Sequence, residues 1–240
     1  MTSTPHVLVV VTCYNHSKYL KQSVESVLNQ TWKNLSVVIV NDGSTDNTHE
    51  VALELSGLDR VKYVILDQNA GKWRALNVGI ESTPSDYVTS QDADDVSLPN
   101  RIERQMECIS RTQALHNLCG FYHCWTEEDV STNKDRQVSG DLSIMFPGDV
   151  HQWVLSGHET PGINHYYTGE FETAGVSALF DRRLWELGIR FNPPGIGLRI
   201  LNSEDSDFNF RTTALLGRTS VLSEKLYCYR RGTSTNNEER

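Results

Sequence analysis

The chain has 240 residues, 38% of them hydrophobic, and its 22 Lys and Arg against 31 Asp and Glu leave a formal net charge of −9. Such a composition excludes a disordered or fibrous chain and allows one large domain with a substantial core. The acidity argues against nucleic acid or an anionic membrane as the main partner. No apolar run approaches the roughly 20 residues of a membrane span. Met1 to His6 has neither a basic start nor an apolar signal core, so the expectation is a cytoplasmic protein, with peripheral membrane contact left open.

In chain order, His6 to Val11 is a continuous β-branched and leucine run, the pattern of a strand buried on both faces. Leu20, Val24, Val27 and Leu28 then recur at helical spacing behind Ser17 as N-cap. Leu35 to Val40 is a second strand, stopped by Asn41-Asp42-Gly43-Ser44-Thr45-Asp46, where Ser44 or Thr45 caps a helix carrying Val51 and Leu55. Val61 to Leu66 is a third, followed by Asn69-Ala70-Gly71 and a helix with Leu76 and Ile80; Tyr87 to Ser90 is the fourth. Strands and helices alternating at this interval predict right-handed βαβ units and a mostly parallel, Rossmann-like central sheet flanked by helices.

The fourth strand runs into Asp92-Ala93-Asp94-Asp95. Alternation along an extended backbone points Asp92 and Asp94 the same way and turns Asp95 aside. Two carboxylates in one small volume need a cation to offset their repulsion, and hard oxygen ligands suit Mg²⁺ or Mn²⁺. The structural alternative makes Asp94 and Asp95 turn residues ahead of a helix capped by Ser97 and carrying Ile102, Met106 and Ile109. An EF-hand is poorly supported, because Val96 and Ser97 stand where that loop wants an oxygen ligand and a glycine. In parallel sheets ligands bind at the carboxyl ends of the strands, which here carry Thr12, Asp42, Asn69 to Lys72, and Asp92 to Asp94.

After Arg111 the pattern weakens into a more irregular half. Gly120 to Trp125 reads as a strand, and Thr126 to Thr173 as irregular or short-stranded, broken by Pro147, Gly148, Pro161 and Gly162. His151, His158 and His165 are evenly spaced, but Pro161-Gly162 forbids one helix, which disfavours a shared metal. Trp153, Tyr166 and Tyr167 could stack on a sugar ring, with packing as the default reading. Gly175 to Phe180 reads as a strand, with Asp181 as N-cap and Gly188 as C-cap of a short helix. Phe191 to Gly197 reads as a loop; Ser203-Glu204-Asp205-Ser206-Asp207 opens a helix ending at Gly217, Val221 to Tyr229 is a last strand, and Arg230 to Arg240 a polar tail. Five cysteines, Cys13, Cys108, Cys119, Cys124 and Cys228, are odd in number and form no C-x-x-C pair, so reduced, partly buried thiols are expected. The sequon Asn34-Leu35-Ser36 then has no compartment in which to be used.

Taken together, Thr12-Cys13-Tyr14-Asn15, Ser26-Val27-Leu28-Asn29-Gln30-Thr31, Val40-Asn41-Asp42-Gly43-Ser44-Thr45-Asp46, Asn69-Ala70-Gly71-Lys72 with Ala75-Leu76-Asn77, Asp92-Ala93-Asp94-Asp95 with Pro99 and Arg101, Glu204-Asp205, and Tyr229-Arg230 resemble, in this order, the motifs of family 2 glycosyltransferases. These are inverting enzymes of the GT-A fold that use nucleotide-sugar donors. The resemblance implies a nucleotide-sugar-binding half, 1–111, and an acceptor-binding half, 112–240, of one domain. It implies that Thr12 and Asp42 hold nucleobase and ribose, uridine being the first choice because a carboxylate accepts the uracil imide proton. Tyr14, Asn15, Asn69 and Ala93 would complete the donor site, and Lys72 and Arg74 would supply positive charge there. Asp94 would bind Mn²⁺ or Mg²⁺, Asp92 the ribose or a metal-bound water, and Asp205 would be the catalytic base. Glu204 and Asp207 read more simply as charges at a helix start.

One departure is that Gly232 stands where many members carry a histidine, so no metal or phosphate role is assigned there. The implied acceptor is a glycan, a lipid-linked or a small molecule, with nucleic acid disfavoured and a homodimer left open. A sugar nucleotidyltransferase would need a glycine-rich, basic loop after strand one, and a dinucleotide oxidoreductase a G-x-G-x-x-G. Thr12-Cys13-Tyr14-Asn15-His16 is neither. A non-catalytic nucleotide-binding module is the remaining alternative.

Overall fold

The structure is a computed structural model and describes residues 4–133, 142–145, 165–167, 172–194, 204–216 and 219–233. Its first half alternates β1 (Val7–Cys13), α1 (Ser17–Leu28), β2 (Leu35–Asn41), α2 (Thr48–Leu55), β3 (Val61–Ile65), α3 (Lys72–Glu81) and β4 (Tyr87–Asp92). The strands pair in parallel in the order β3-β2-β1-β4, with Thr12 opposite both Val40 and Asp92. Every residue of β1 is buried, and the two faces of the sheet explain why. Val7, Val9 and Val11 join Val37 and Ile39 against Leu20 and Val24 of α1 and Leu55 of α2. Leu8 and Val10 join Val38 and Val40 against Leu76 and Ile80 of α3. A strand covered on both sides shows no polar alternation, hence the unbroken apolar run in the sequence.

The second half comprises β5 (Val96–Ser97), α4 (Arg101–Thr112), β6 (His116–Cys124), α5 (Glu127–Asn133), β7 (Leu142–Met145), β8 (His165–Tyr167), β9 (Glu172–Ala174), a 3₁₀ turn (Gly175–Ser177), β10 (Leu179–Asp181), α6 (Arg183–Glu186), α7 (Glu204–Leu216) and β11 (Thr219–Arg230). The same sheet continues β4-β10-β6-β11-β5. Here it becomes mixed, because β10 lies antiparallel between β4 and β6, while β6 and β11 run parallel and β5 and β7 pair antiparallel to β11.

Several local expectations are corrected. Ser97 caps no helix: with Val96 it pairs to Tyr227 and Cys228, and α4 begins after Asn100. The N-caps of α1 and α2 are His16 and Asn47 rather than Ser17 and Ser44 or Thr45. Gly175 to Ser177 form the 3₁₀ turn, leaving only Leu179 to Asp181 as strand; Asp181 accepts the Arg183 N–H from the strand end, with Arg182 as N-cap. The cysteine expectation fails for two of five. Cys124 ends β6 and Cys228 lies near the end of β11, so strand pairing brings their Cα atoms to 6.1 Å and they form a disulfide. Cys13, Cys108 and Cys119 are free and buried. His151, Trp153, His158, Pro147, Gly148, Pro161, Gly162, Ser203, Gly217 and residues 195–197 and 234–240 lie outside the described residues.

Candidate functional site

Because β1, β2 and β4 are parallel, their carboxyl ends open on one rim, and a cleft of about 270 Å³ sits there. Thr12, Tyr14, Asp42, Asn69, Lys72, Asp92, Ala93 and Asp94 line it, so eight of the sequence candidates meet in one place. Cys13, His16, Gly71, Ala75 and Tyr229 line it as well and were not candidates. Tyr229 was visible in the late Tyr229-Arg230 motif, and His16 directly follows the first rim loop; both signals could have been used. A second hollow, lined by Asp86, Asp181 and Arg183 among others, lies at the amino end of β4, with Arg183 paired to Asp181.

Asp42 sits just past β2, where its two carboxylate oxygens accept the N–H groups of Ala70 and Gly71 at 2.9 and 2.8 Å. It therefore ties the β2 loop to the loop opening α3. Gly43 makes this possible with a φ of +70° and no Cβ, which would otherwise stand 2.5–2.7 Å from the Gln68 and Asn69 backbone. Asn15, with a φ of 57°, does the same between β1 and β2: its Oδ1 accepts the Thr45 N–H at 2.8 Å, and its own N–H meets Ser44. Asn15 is thus a loop tie that does not line the cleft, and Arg74 is exposed outside it.

Lys72, first residue of α3, lines the cleft and links it to Asp205, which does not line it. Its Nζ lies 2.7 Å from Asp92 and 2.9 Å from Asp205, with Glu204 at 3.7 Å. Asp205 is 3% exposed on the first turn of α7. Burial pushes its carboxyl up to about 7; Lys72 opposes this, while Glu204 and Asp92 add to it. Burial alone would lower the Lys72 pKa, but Asp205, Asp92 and Glu204 outweigh it and hold the ammonium well above its usual range. Asp207 instead pairs with Arg211 on its own helix, a local structural role.

The Asp92 to Asp95 loop is fastened from both sides. Ser23 donates to the Asp92 carbonyl, and the Asp92 N–H meets the Tyr227 hydroxyl at 3.1 Å. Asp95 is buried and accepts the Arg230 N–H at 2.8 Å; burial first, then Asp94 and Asp92, raises its pKa well above the carboxylate range. The Arg230 guanidinium donates to the Asp94 carbonyl, Glu127 and Gln22. Burial, with Asp95 and Asp92, lifts the Tyr229 phenol to about 12, so it stays a neutral donor. Beneath the loop, Arg101 is 1% exposed, donating to Gln91, Ser97, Thr89 and Gln105.

Among the described residues no group of three or more His, Cys, Asp and Glu converges as metal ligands. The donors around Asp94 still fit a divalent ion: its Oδ2 lies 2.5 Å from the Thr233 hydroxyl and 3.9 Å from His16 Nε2, and the Thr233 carbonyl is 3.3 Å from that nitrogen. Oxygens and one imidazole are ligands that such an ion accepts.

A parallel nucleotide-type half running into a mixed sheet, with carboxylates gathered at its carboxyl edge, is the GT-A arrangement. Residues 8–188 match the family described as Glycosyl transferase family 2, and the chain belongs to that family. It is 30% identical over 228 residues to "Glycosyltransferase GlyA" of Streptococcus pneumoniae, covering 93% of this chain and 30% of that one. S. aureus TarS in complex with UDP has the same fold, with a TM-score of 0.67 at 19% identity over 94% of this chain and 60% of TarS. The mannosyltransferase PcManGT of Pyrobaculum calidifontis, in complex with GDP-Man and Mn²⁺, gives 0.60 at 18% identity over 92% of this chain and 58% of that one. The chain thus spans 30% to 60% of the length of these three proteins. Among the described residues no helix is long and apolar enough to cross a membrane.

Proposed function

We infer that the chain transfers a glycosyl group from a uridine-diphosphate sugar to an acceptor hydroxyl, with inversion and in one displacement. The observation that carries this reading is Lys72, which lines the cleft and whose ammonium touches both Asp92 on the rim and Asp205 at the start of α7. The two carboxylates are therefore one ammonium apart, and a sugar held at the Asp92 end would lie within reach of Asp205 as base. Thr12, Tyr14 and Asn69 line the nucleotide end around Asp42, whose oxygens each keep a lone pair after accepting a backbone N–H. A carboxylate there accepts the imide proton of uracil. The UDP bound to TarS supports uridine, and the GDP-Man of PcManGT makes guanosine the competing donor.

Asp205 takes the proton of the attacking hydroxyl. Its Oδ2 is engaged by Lys72, so we assign the proton to Oδ1. A carboxyl raised to about 7 is well matched to that work near neutral pH. Asp94, with Asp92 beside it, is the carboxylate that would hold a divalent ion. When bound, such an ion supplies Lewis-acid neutralisation of the leaving diphosphate. Tyr227, Arg230 and Ser23 keep the Asp92 to Asp95 backbone in place, so these carboxylates are positioned before the donor arrives.

The test pairs two variants on a panel of UDP- and GDP-sugars with Mn²⁺. Asp94→Ala should abolish metal-dependent donor binding in a thermal-shift assay. Asp205→Asn should keep donor binding and lose on the order of 10²-fold or more in kcat. Unchanged turnover in Asp205→Asn removes the base assignment, and consumption of added pyrophosphate with formation of UTP and a sugar 1-phosphate assigns nucleotidyl transfer instead.

A further inference from the structure

We propose that His16 is a ligand of the divalent ion held by Asp94, and that its nitrogen makes the site select Mn²⁺ over Mg²⁺. The inference rests on the reading of Asp94 as the metal-binding carboxylate. It begins with an asymmetry between two neighbouring acids. Asp92 already has a cation, Lys72 at 2.7 Å. Asp94 faces, among the described residues, no Lys or Arg within ion-pair distance; the basic group beside it is the His16 ring, with Nε2 at 3.9 Å. Arg230 approaches only the backbone carbonyl of Asp94, its guanidinium being committed to Glu127 and Gln22.

The imidazole is held by its backbone. The His16 N–H meets the Thr48 hydroxyl at 3.2 Å, and its carbonyl accepts the N–H groups of Tyr19 and Leu20 as α1 begins. Its Nε2 lies 3.9 Å from Asp94 Oδ2 and 3.3 Å from the Thr233 carbonyl, and the Thr233 hydroxyl donates to that same Asp94 oxygen at 2.5 Å. A separation of 3.9 Å is too long for a hydrogen bond. It is the span of two ligands on one ion, which lie roughly 3–4 Å apart for bonds of about 2.1 Å. In the apo protein Nε2–H donates to the Thr233 carbonyl; with the proton on Nδ1 instead, Nε2 presents a lone pair beside Asp94. Both ions take oxygen ligands, but Mg²⁺ is the harder and dehydrates reluctantly, while Mn²⁺ is a first-row transition ion that accepts an imidazole more readily, so a nitrogen in the set shifts the preference toward Mn²⁺.

Mn²⁺ alone, added to the full chain and followed by electron paramagnetic resonance, reads this without turnover. The wild-type spectrum should carry electron spin-echo modulation from a directly bound ¹⁴N, replaced by ¹⁵N signals when histidine is ¹⁵N-labelled. His16→Ala and His16→Gln should lose that modulation, weaken Mn²⁺ binding about 10- to 100-fold, and let Mg²⁺ displace Mn²⁺ more readily. The wild-type spectrum decides the matter even if a variant folds poorly: absence of nitrogen coupling overturns the proposal. So does a His16→Ala protein that keeps the coupling. If Asp94→Ala retains Mn²⁺ with its coupling, the Asp94 reading fails. If Asp94→Ala loses Mn²⁺ while His16→Ala binds it like wild type, Asp94 stands and His16 does not.

Discussion

His116 opens β6 and is fully buried, its ring nitrogens 2.9 Å from Asn209 Oδ1 and 3.0 Å from Thr219 Oγ1, with Phe208 edge-on. Burial lowers its pKa from 6.5 to about 4, the Asn209 hydrogen bond opposing only in part. The unfolded chain therefore takes up the proton first as pH falls. His116 leaves stability intact above about 6.5 and erodes it as pH drops toward 4. At about 1.36 kcal/mol per pH unit, the whole gap corresponds to about 3 kcal/mol, of which about 2 kcal/mol is lost between pH 7 and pH 5. Asp205 works the other way: its carboxyl, raised to about 7, takes a proton in the fold before the unfolded chain does, and so adds stability as pH falls through 7. The wild-type profile mixes the two, and the informative quantity is its difference from His116→Asn. Urea unfolding of both proteins at pH 7 and pH 5 should show the wild type losing about 2 kcal/mol more than the variant, at constant m-value. Parallel losses would refute the reasoning. Asn209 lies one turn beyond Asp205 on α7, and its Oδ1 accepts from His116 Nε2, a bond that protonation keeps, so the added proton enters at Nδ1, facing the Thr219 hydroxyl.

Three further outcomes are expected. In Gly43→Ala a Cβ would stand 2.5 Å from the Gln68 carbonyl carbon, a backbone atom that cannot swing aside; about 1–3 kcal/mol of stability should go, and UDP titration calorimetry should show weaker binding as the Asp42 clamp shifts. The Cys124–Cys228 bridge closes a separation of 104 residues, so Cys124→Ser with Cys228→Ser should cost about 4–5 kcal/mol in equilibrium unfolding on the chain-entropy account. Thiol titration of the denatured, unreduced wild type should then find three thiols, the five cysteines less the bridged two. Arg101→Met removes a buried fork from neutral oxygens and should lower stability by about 3–5 kcal/mol; Arg101→Lys, lacking the planar fork, should recover only part of it in the same unfolding assay.

The parallel half was legible in the sequence because its determinants are local. A strand covered on both faces must be apolar throughout, as β1 is, and the loops after β1, β2 and β4 carry their own turn residues. What was not legible depends on partners distant along the chain. Ser97 ahead of Leu98 and Pro99 looks like a helix cap, and only Tyr227, 130 residues later, makes it a strand. The spacing of Cys124 and Cys228 says nothing about bonding until β6 and β11 are known to be neighbours. His16 was visible as the residue after the first rim loop, but not its neighbours, because Asp94 and Thr233 arrive from elsewhere in the chain. Asp42 was legible as a rim carboxylate, but the two N–H groups it holds belong to a loop 28 and 29 residues away.

Strand β11 has a bearing on when the rim can take shape during synthesis. Tyr227 supports Asp92, Arg230 supports Asp94 and Asp95, and these contacts join positions 135 and 136 residues apart. Loops of that span close late. A nascent chain halted before Thr219 would hold its leading βαβ units, yet its acidic loop would lack the braces that fix it. Ribosome-bound intermediates of that length should fold in their amino-terminal part and fail to grip a nucleotide.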